Sequence, residues 1–277
     1  MHSLRTDEQR RSLRQASLAL ADLIEGVRRA RVVNALALQD VKNRYRRSSL
    51  GVFWIVISMA VTIAIIGFVF GALFAGVEID KFIPYIAISL ILWSYISGVI
   101  GEGCTAFISN EEYILADRMP LSLFVYRTMW HGTIIFAHNL VIFVAAALYF
   151  RIAFSFGAFV LVLPGLALLM ANCFWLAVVL ALVCCRFRDI PQIVANVLQI
   201  VFYLTPIIWT VDLLPRTHGW LVQANPLFHL IEVVRSPLLG ERPAPASWAV
   251  AVATLLLGST LAFILFSRYR RRVPYWL

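Results

Sequence analysis

Long stretches without charged residues constrain this chain more than any other feature of its sequence. After Arg47, six apolar stretches follow one another, at 48–77, 82–101, 128–150, 152–185, 190–211 and 243–267. A helix needs about 20 apolar residues to cross the hydrocarbon core of a membrane, and each stretch reaches that length. The sequence therefore predicts an all-α integral membrane protein with six transmembrane helices. In the fourth stretch we expect a turn near Arg151 and a kink at Pro164.

Composition agrees with a membrane protein. Hydrophobic residues make up 61% of the 277 residues and charged residues 14%, whereas average soluble domains have about 45–50% and about 25%. These values exclude a soluble enzyme, a secreted disulfide-rich scaffold and a disordered chain. The four cysteines have neither CxxC nor metal-ligand spacing, so we expect small buried side chains: Cys104, Cys173, Cys184 and Cys185.

Positive charges predict the orientation. If the N-terminus is cytoplasmic and six helices cross, 19 of the 24 Lys and Arg residues lie on the cytoplasmic side and five on the other side. The positive-inside rule favours this arrangement, which also returns the tail 268–277 to the cytoplasm. Because the membrane accounts for the excess of positive charge, we expect no nucleic-acid partner.

Two segments outside the six stretches have distinctive patterns. Residues 28–47 place Val33, Leu36, Ala37, Val41 and Tyr45 near one helical face, with basic residues around the rest. That pattern predicts an amphipathic helix in contact with membrane lipids at the interface.

The second segment, 211–242, is rich in proline, but Leu227 to Val234 are apolar enough for a short helix. It predicts short re-entrant helices on the outer side before the last span, and an ordinary surface loop remains the alternative.

Catalytic motifs are missing from the sequence. It has no phosphate-binding loop, so we expect no ATPase activity in this chain, and it has no pattern for a metal or another cofactor. His131 and His138 lie roughly on one helical face, but nothing near them in sequence completes a metal site, and helix packing is favoured. Glu102 interrupts an apolar stretch and is expected at the inner membrane edge or beside a wet lumen.

Residues 109–120 (SNEEYILADRMP) form a short acidic loop between the second and third stretches. Glu111, Glu112 and Asp117 run against the basic character of the other cytoplasmic segments. The loop is suited to docking on a basic groove of a soluble partner, and a solvated turn is the alternative.

Four motifs in order resemble one family. They are DVKNRYRRSSLGVFW at 40–54, CRFRDIPQ at 185–192, YLTPIIW at 203–209 and NPLFHLIEVVRSPLLG at 225–240. Together they resemble the ABC-2 type transporter permeases, and within them the polysaccharide and O-antigen exporters, which are Wzm-like and related to capsule and teichoic acid exporters. The resemblance covers about residues 30–275, whereas residues 1–27 have no counterpart.

The resemblance implies a half-transporter in the bacterial inner membrane. Two copies would form a homodimer, and two copies of a separate ATPase, which would hold ATP and Mg²⁺, would bind beneath it. The helix 28–47 and the coupling loop 109–118 would contact that ATPase, with Glu111, Glu112 and Asp117 in the contact. The segment 211–242 would form the periplasmic gate.

Substrate contacts are expected at two places. Basic residues at the inner headgroup level could attract a pyrophosphate-linked glycolipid, and Tyr45 lies among them: Arg44, Tyr45, Arg46 and Arg47. Sugar rings can stack on aromatic planes, so six aromatic residues of the first two spans are candidates for the channel wall: Phe68, Phe70, Phe74, Tyr85, Trp93 and Tyr95.

The sequence thus predicts a cytoplasmic extension at 1–27, an interface helix at 28–47, a six-helix domain at 48–267 and a cytoplasmic tail. The favoured function is export of a lipid-linked polysaccharide by an ATP-driven exporter. Three alternatives stay open: an ABC-2 exporter of a small amphiphile or drug, a membrane-embedded glycolipid transferase, and a membrane scaffold without transport activity.

Overall fold

The structure is a computed structural model that describes residues 2–44, 46, 50–73, 78–116, 119–152, 156–211 and 219–277. Helices make up nearly all of this part of the chain, which contains no strand. The predicted all-α class is therefore confirmed. The helices are α1 (His2–Arg28), α2 (Ala30–Arg44), α3 (Phe53–Leu73), α4 (Ile79–Thr105), α5 (Glu111–Ala116), α6 (Ser122–Tyr149), α7 (Phe156–Phe159), α8 (Val162–Arg186), α9 (Ile190–Leu204), α10 (Gly219–Gln223), α11 (Pro226–Leu238), α12 (Pro245–Tyr269) and α13 (Val273–Trp276).

Within the described ranges, five helical segments are long and apolar enough to cross a membrane. They are Phe53–Phe70, Ile79–Thr105, Leu121–Tyr149, Phe156–Arg186 and Pro245–Trp276. Each coincides with one of the predicted stretches. The predicted count of six is not confirmed, because the stretch 190–211 does not form a helix of full length.

Helix α9 explains this difference. It has 15 residues and is therefore about 22 Å long, shorter than the hydrocarbon core of about 30 Å. Thr205, the residue after its end, is extended and precedes Pro206. A residue before proline is sterically disfavoured in the α conformation, which ends the helix here.

The fourth stretch also differs from the prediction in one detail. The expected turn occurs at Arg151, which has a positive φ of 52°. At the expected kink, the helical segment is interrupted at residues 160–161, between α7 and α8, and Pro164 lies in the first turn of α8. A proline is tolerated there, since the N–H that it lacks would have no partner within the helix.

Helix α4 lies at the centre of the bundle and packs against α6, α8, α3 and α9. A Cβ added to Gly132 of α6 would lie 2.8 Å from Val99 of α4, and one added to Gly165 of α8 would lie 2.4 Å from the carbonyl oxygen of Val233 in α11. These glycines let helix backbones approach closely, as small residues do in membrane bundles.

The segment 28–47, predicted as an interface helix, is helical from Ala30 to Arg44 as α2, with Val33, Ala37 and Val41 buried. This face packs against α6, so protein rather than lipid covers it. Tyr45 and Arg47 lie outside the described residues. No fold was predicted for the extension 1–27. Its described residues belong to the helix α1, which packs against α6 and α12.

Asp22 attaches α1 to the rest of the protein. Its buried carboxylate accepts hydrogen bonds from the backbone N–H groups of Leu121 (3.2 Å) and Ser122 (3.0 Å), and Arg270 lies 3.1 Å away. The first N–H groups of a helix have no partner within it, and Leu121 has no side chain that could cap α6. A carboxylate from α1 thus caps α6 and also stabilises the positive end of its dipole.

We predict that Asp22→Ala releases α1 from the bundle. The change removes the cap of α6 and leaves Arg270 without this partner, at a cost of about 2–3 kcal/mol. Hydrogen exchange of the α1 amides should therefore be roughly 30- to 150-fold faster. Glu25→Ala is the matched control, because Glu25 pairs with Arg29, four positions along the chain, and both side chains are exposed at the surface. Equal exchange in the two variants would contradict the role given to Asp22.

Candidate functional site

Polar side chains from several segments meet at one end of the bundle, here called the Arg127 end. The guanidinium of Arg127, on α6, donates through Nε (2.6 Å) and Nη2 (2.5 Å) to both carboxylate oxygens of Asp40, on α2. Its Nη1 donates to Oδ1 of Asn110 at 2.6 Å. Asn110 ends the 3-10 turn Ile108–Asn110, which leads directly into α5. One side chain therefore joins the predicted interface helix to the predicted coupling loop.

The geometry of this contact suits arginine only. A guanidinium presents its donors in a rigid fork that matches both oxygens of a carboxylate, whereas a lysine ammonium is a point charge. The two side chains are 19% and 30% exposed, so water screens the pair less than it would screen a pair on the surface. The fork fixes the orientation of α2 relative to α6.

Glu102, near the end of α4, forms a second cluster beside the first. Its Oε1 accepts from Nη2 of Arg44 at 3.0 Å, and its Oε2 lies 2.7 Å from Nδ1 of His131. The sequence analysis missed this contact, because Glu102 and His131 are 29 residues apart. His138 instead contacts the carbonyl oxygen of Ile134 in its own helix, so the two histidines form no joint site. No group of three or more His, Cys, Asp or Glu side chains suited to a metal occurs in the described part of the chain.

The predicted coupling loop is helical from Glu111 to Ala116. Glu112 is exposed and Glu111 is half-buried, while Asp117 lies outside the described residues. Tyr113 and Leu115 are more than half exposed. This short helix presents an acidic group and two large apolar side chains to its surroundings.

The four residues predicted for substrate entry have different placements. Arg44 pairs with Glu102 while its side chain stays 51% exposed. Arg46 is exposed. Tyr45 and Arg47 lie outside the described residues.

The six aromatic candidates do not share one surface. Phe68 is 78% exposed, whereas Phe70 packs against Phe82 with ring centroids 6.4 Å apart. Trp93 and Tyr95 are buried and line a cavity of about 500 Å³. The last two are Tyr85, which lies at the opposite end of the bundle, and Phe74, which is outside the described residues.

That opposite end is organised around Arg235 of α11, which is 3% exposed. Its guanidinium pairs with Glu232 (2.5 Å) and donates to Ser89 Oγ (3.0 Å) and to the carbonyl oxygen of Pro206 (2.6 Å). It also lies 4.3 Å from the centroid of the Tyr85 ring. The sequence analysis missed this cluster. Glu232 and Arg235 are three residues apart in an otherwise apolar segment, and that spacing could have indicated an ion pair on one helical face.

Comparison with known proteins gives consistent matches. Residues 31–239 match the family model described as ABC-2 type transporter. Two relatives carry the name O-antigen export system permease protein RfbA. The relative from Klebsiella pneumoniae is 24% identical over 194 residues, which cover 70% of this chain and 74% of that protein. The relative from Myxococcus xanthus is 23% identical over 241 residues, which cover 82% of this chain and 89% of that protein.

We predict that Arg127 and Asp40 stabilise the protein as a coupled pair. Arg127→Gln and Asp40→Asn should each lower the thermal unfolding midpoint of the purified protein, and the double variant should lose less than the sum. The interaction free energy from this double-mutant cycle should be about 1–2 kcal/mol. Lys81→Gln and Glu78→Gln are the matched control cycle, because that pair is 82% and 67% exposed and should give a coupling near zero. Additive losses for Arg127 and Asp40 would contradict the role of the pair.

Proposed function

Because this chain belongs to the ABC-2 type transporter family, we propose that it is the membrane subunit of an ATP-driven exporter of a lipid-linked polysaccharide such as an O-antigen. The observation that carries the proposal is the family match over residues 31–239. Support for the substrate comes from the relatives, which are named as O-antigen export permeases.

The partner in this proposal is a separate ATPase. The sequence contains no phosphate-binding loop of the GxxxxGK[ST] type, so ATP and Mg²⁺ would be held by that partner. Two copies of this chain would pair with two copies of the ATPase in the bacterial inner membrane.

A movement of the ATPase would be transmitted to the transmembrane helices through the Arg127 end. A partner pressing on α5 would move Asn110, which Arg127 holds at 2.6 Å. Arg127 also holds Asp40 of α2. A displacement of the short helix would therefore reach both α6 and α2 through the guanidinium of Arg127.

The Arg127 end is then cytoplasmic, and both termini lie there. The ion pair between Asp22 and Arg270 supports an even number of crossings, because it brings the two ends of the chain together. Five long helices and α9 make six. The non-helical residues after α9 would complete that crossing, since Arg235 and the Tyr85 hydroxyl bind the Pro206 carbonyl oxygen. Irregular backbone at membrane depth is tolerated where protein satisfies it in this way.

Helices α10 and α11 would form the periplasmic gate. The start of helix α11 is capped by a hydrogen bond from Leu227 N–H to Asn225 Oδ1 at 3.0 Å, and the contacts of Arg235 hold the helix in place. Between two copies, the exposed Phe68 is a candidate for the channel wall. Arg44 and Arg46, at the cytoplasmic end, would attract the diphosphate of the lipid carrier.

We predict that Glu112→Lys weakens binding of the ATPase. The exposed carboxylate would face basic or amide groups of the partner, and reversal of its charge places like charges together, at a cost of several kcal/mol. Co-purification of the ATPase should fall at least 10-fold, with export lost in parallel and membrane insertion unchanged.

Glu78→Lys is the control, because it makes the same change of charge at an exposed position at the opposite end. Glu111→Lys tests which acid is central, and its half-buried position predicts the weaker effect. If both the Glu111 and Glu112 variants retain the ATPase and export at the normal rate, the coupling role of this helix is wrong.

A further inference from the structure

Helix α1 exposes a row of large apolar side chains. Among its described side chains, five large apolar ones are exposed, and four of these lie within about 60° of one another around the helix axis. The four are 45–70% exposed and are here called the α1 stripe: Leu13, Leu20, Ile24 and Val27. The family match begins only at residue 31, so the stripe is a feature that this match does not cover.

The α1 stripe is separate from the face by which α1 is attached to the protein. Ala19 and Gly26 are buried on the same side as Asp22, whose carboxylate caps α6. A Cβ added to Gly26 would lie 2.9 Å from the ring of Tyr126 in α6. This attached face is centred about 140° around the helix from the stripe. The four apolar side chains therefore point away from α6 and stay accessible.

The contacts of α1 place it at the level of lipid headgroups. Helix α6 has 28 residues and is therefore about 42 Å long, close to the thickness of about 40–45 Å of a bilayer with its headgroups. Asp22 binds the N–H groups of Leu121 and Ser122, at the start of this span. Its other partner, Arg270, directly follows α12. Both spans thus put α1 at the boundary between hydrocarbon and headgroups.

The surroundings of the stripe are apolar on one side and basic on the other. On α12, Leu261 and Ile264 are exposed, and Ile264 lies only about 9 Å along the helix from Arg270. On α1 itself, the surface beyond the stripe carries the exposed residues Arg14 and Arg28. An apolar face bordered by arginines is typical of a helix in the membrane interface. There the arginine stems lie along apolar surface while the guanidinium groups reach anionic headgroups.

We propose that α1 binds the anionic surface of the membrane. The α1 stripe lies among the upper parts of the acyl chains, Arg14 and Arg28 bind lipid phosphates, and Asp22 holds the helix at this depth. The sequence analysis assigned the interface to residues 28–47, but protein covers the apolar face of α2. The interface contact therefore belongs to the helix that precedes it.

The first test measures the depth of α1 in nanodiscs of phosphatidylglycerol and phosphatidylcholine that contain the purified full-length protein. A nitroxide label is attached to Leu20→Cys or to Ile24→Cys. Ala21→Cys is the matched control, because Ala21 is also exposed but lies about 100° around the helix from Leu20. The unmodified protein gives the labelling background, since its four cysteines are buried.

Electron paramagnetic resonance then compares collisions of each label with oxygen, which concentrates in hydrocarbon, and with a water-soluble nickel complex. The labels at Leu20 and Ile24 should lie about 5–10 Å below the lipid phosphates. The label at Ala21 should remain in contact with water.

The second test measures the contribution of charge. Hydrogen exchange of the α1 amides should be about 5- to 30-fold slower in these nanodiscs than in nanodiscs of phosphatidylcholine alone, because each arginine strengthens binding to anionic lipid. Arg14→Gln combined with Arg28→Gln should remove most of this difference. The matched control is Lys81→Gln combined with Arg151→Gln, which removes the same charge from exposed residues at the opposite end and should preserve the difference.

Four results would each overturn the proposal. Labels at Leu20 and Ile24 that meet the nickel complex as often as the label at Ala21 would show a helix in water. Protection that arises only when the ATPase is added would identify a docking surface for that partner. Exclusion of both oxygen and nickel, with magnetic coupling between labels, would identify contact with a second copy. Equal hydrogen exchange in the two lipids would exclude recognition of anionic headgroups.

These outcomes are independent of the proposed function. The depth of the labels and the hydrogen exchange are measured without glycan and without ATP. A chain whose α1 stays in water can still export, and a chain whose α1 binds lipid can still fail to do so.

Discussion

The contact of Arg127 with Asp40 and Asn110 is the interaction on which the arrangement of the Arg127 end depends. It binds three segments that are far apart in sequence: α2, the turn before α5, and α6. A forked donor set is rigid, so these segments hold a fixed geometry. Asp22 acts in the same way at the start of α6, where its carboxylate caps the helix and pairs with Arg270. The first contact binds Asn110, directly before the short helix α5, and the second binds Leu121 and Ser122, a few residues after it.

The two ends of the bundle differ in how fully their buried polar groups are hydrogen-bonded. At the opposite end, Arg235 is buried and its donors are bonded to Glu232, Ser89 and the Pro206 carbonyl oxygen. Such a satisfied network rigidifies the structure around it. The cluster around Glu102 differs, because the buried Nε2 of His131 there has no hydrogen-bond partner in the described part of the chain. We therefore assign the Arg235 cluster to structure.

The sequence predicted the parts of the fold that depend on local pattern. Charge-free length located the five long helices, because crossing hydrocarbon requires apolar side chains over a fixed distance. It overestimated α9, where Pro206 ends the helix before the apolar stretch ends. Contacts between distant residues could not be predicted: Asp22 and Ser122 are 100 residues apart, and no periodicity connects them. The same holds for Glu102 and His131, which are 29 residues apart and share one hydrogen bond in the structure.

The claim that this chain is the transport subunit of a two-component exporter is tested most directly in proteoliposomes. The chain, its partner ATPase and a lipid-linked glycan are reconstituted together. A lectin on the side of the membrane opposite to the ATPase reports arrival of the glycan. The account predicts that lectin binding rises only when both proteins and ATP are present, and that the lone chain hydrolyses no ATP. ATP hydrolysis by the lone chain, or glycan movement at the same rate without the ATPase, would contradict it.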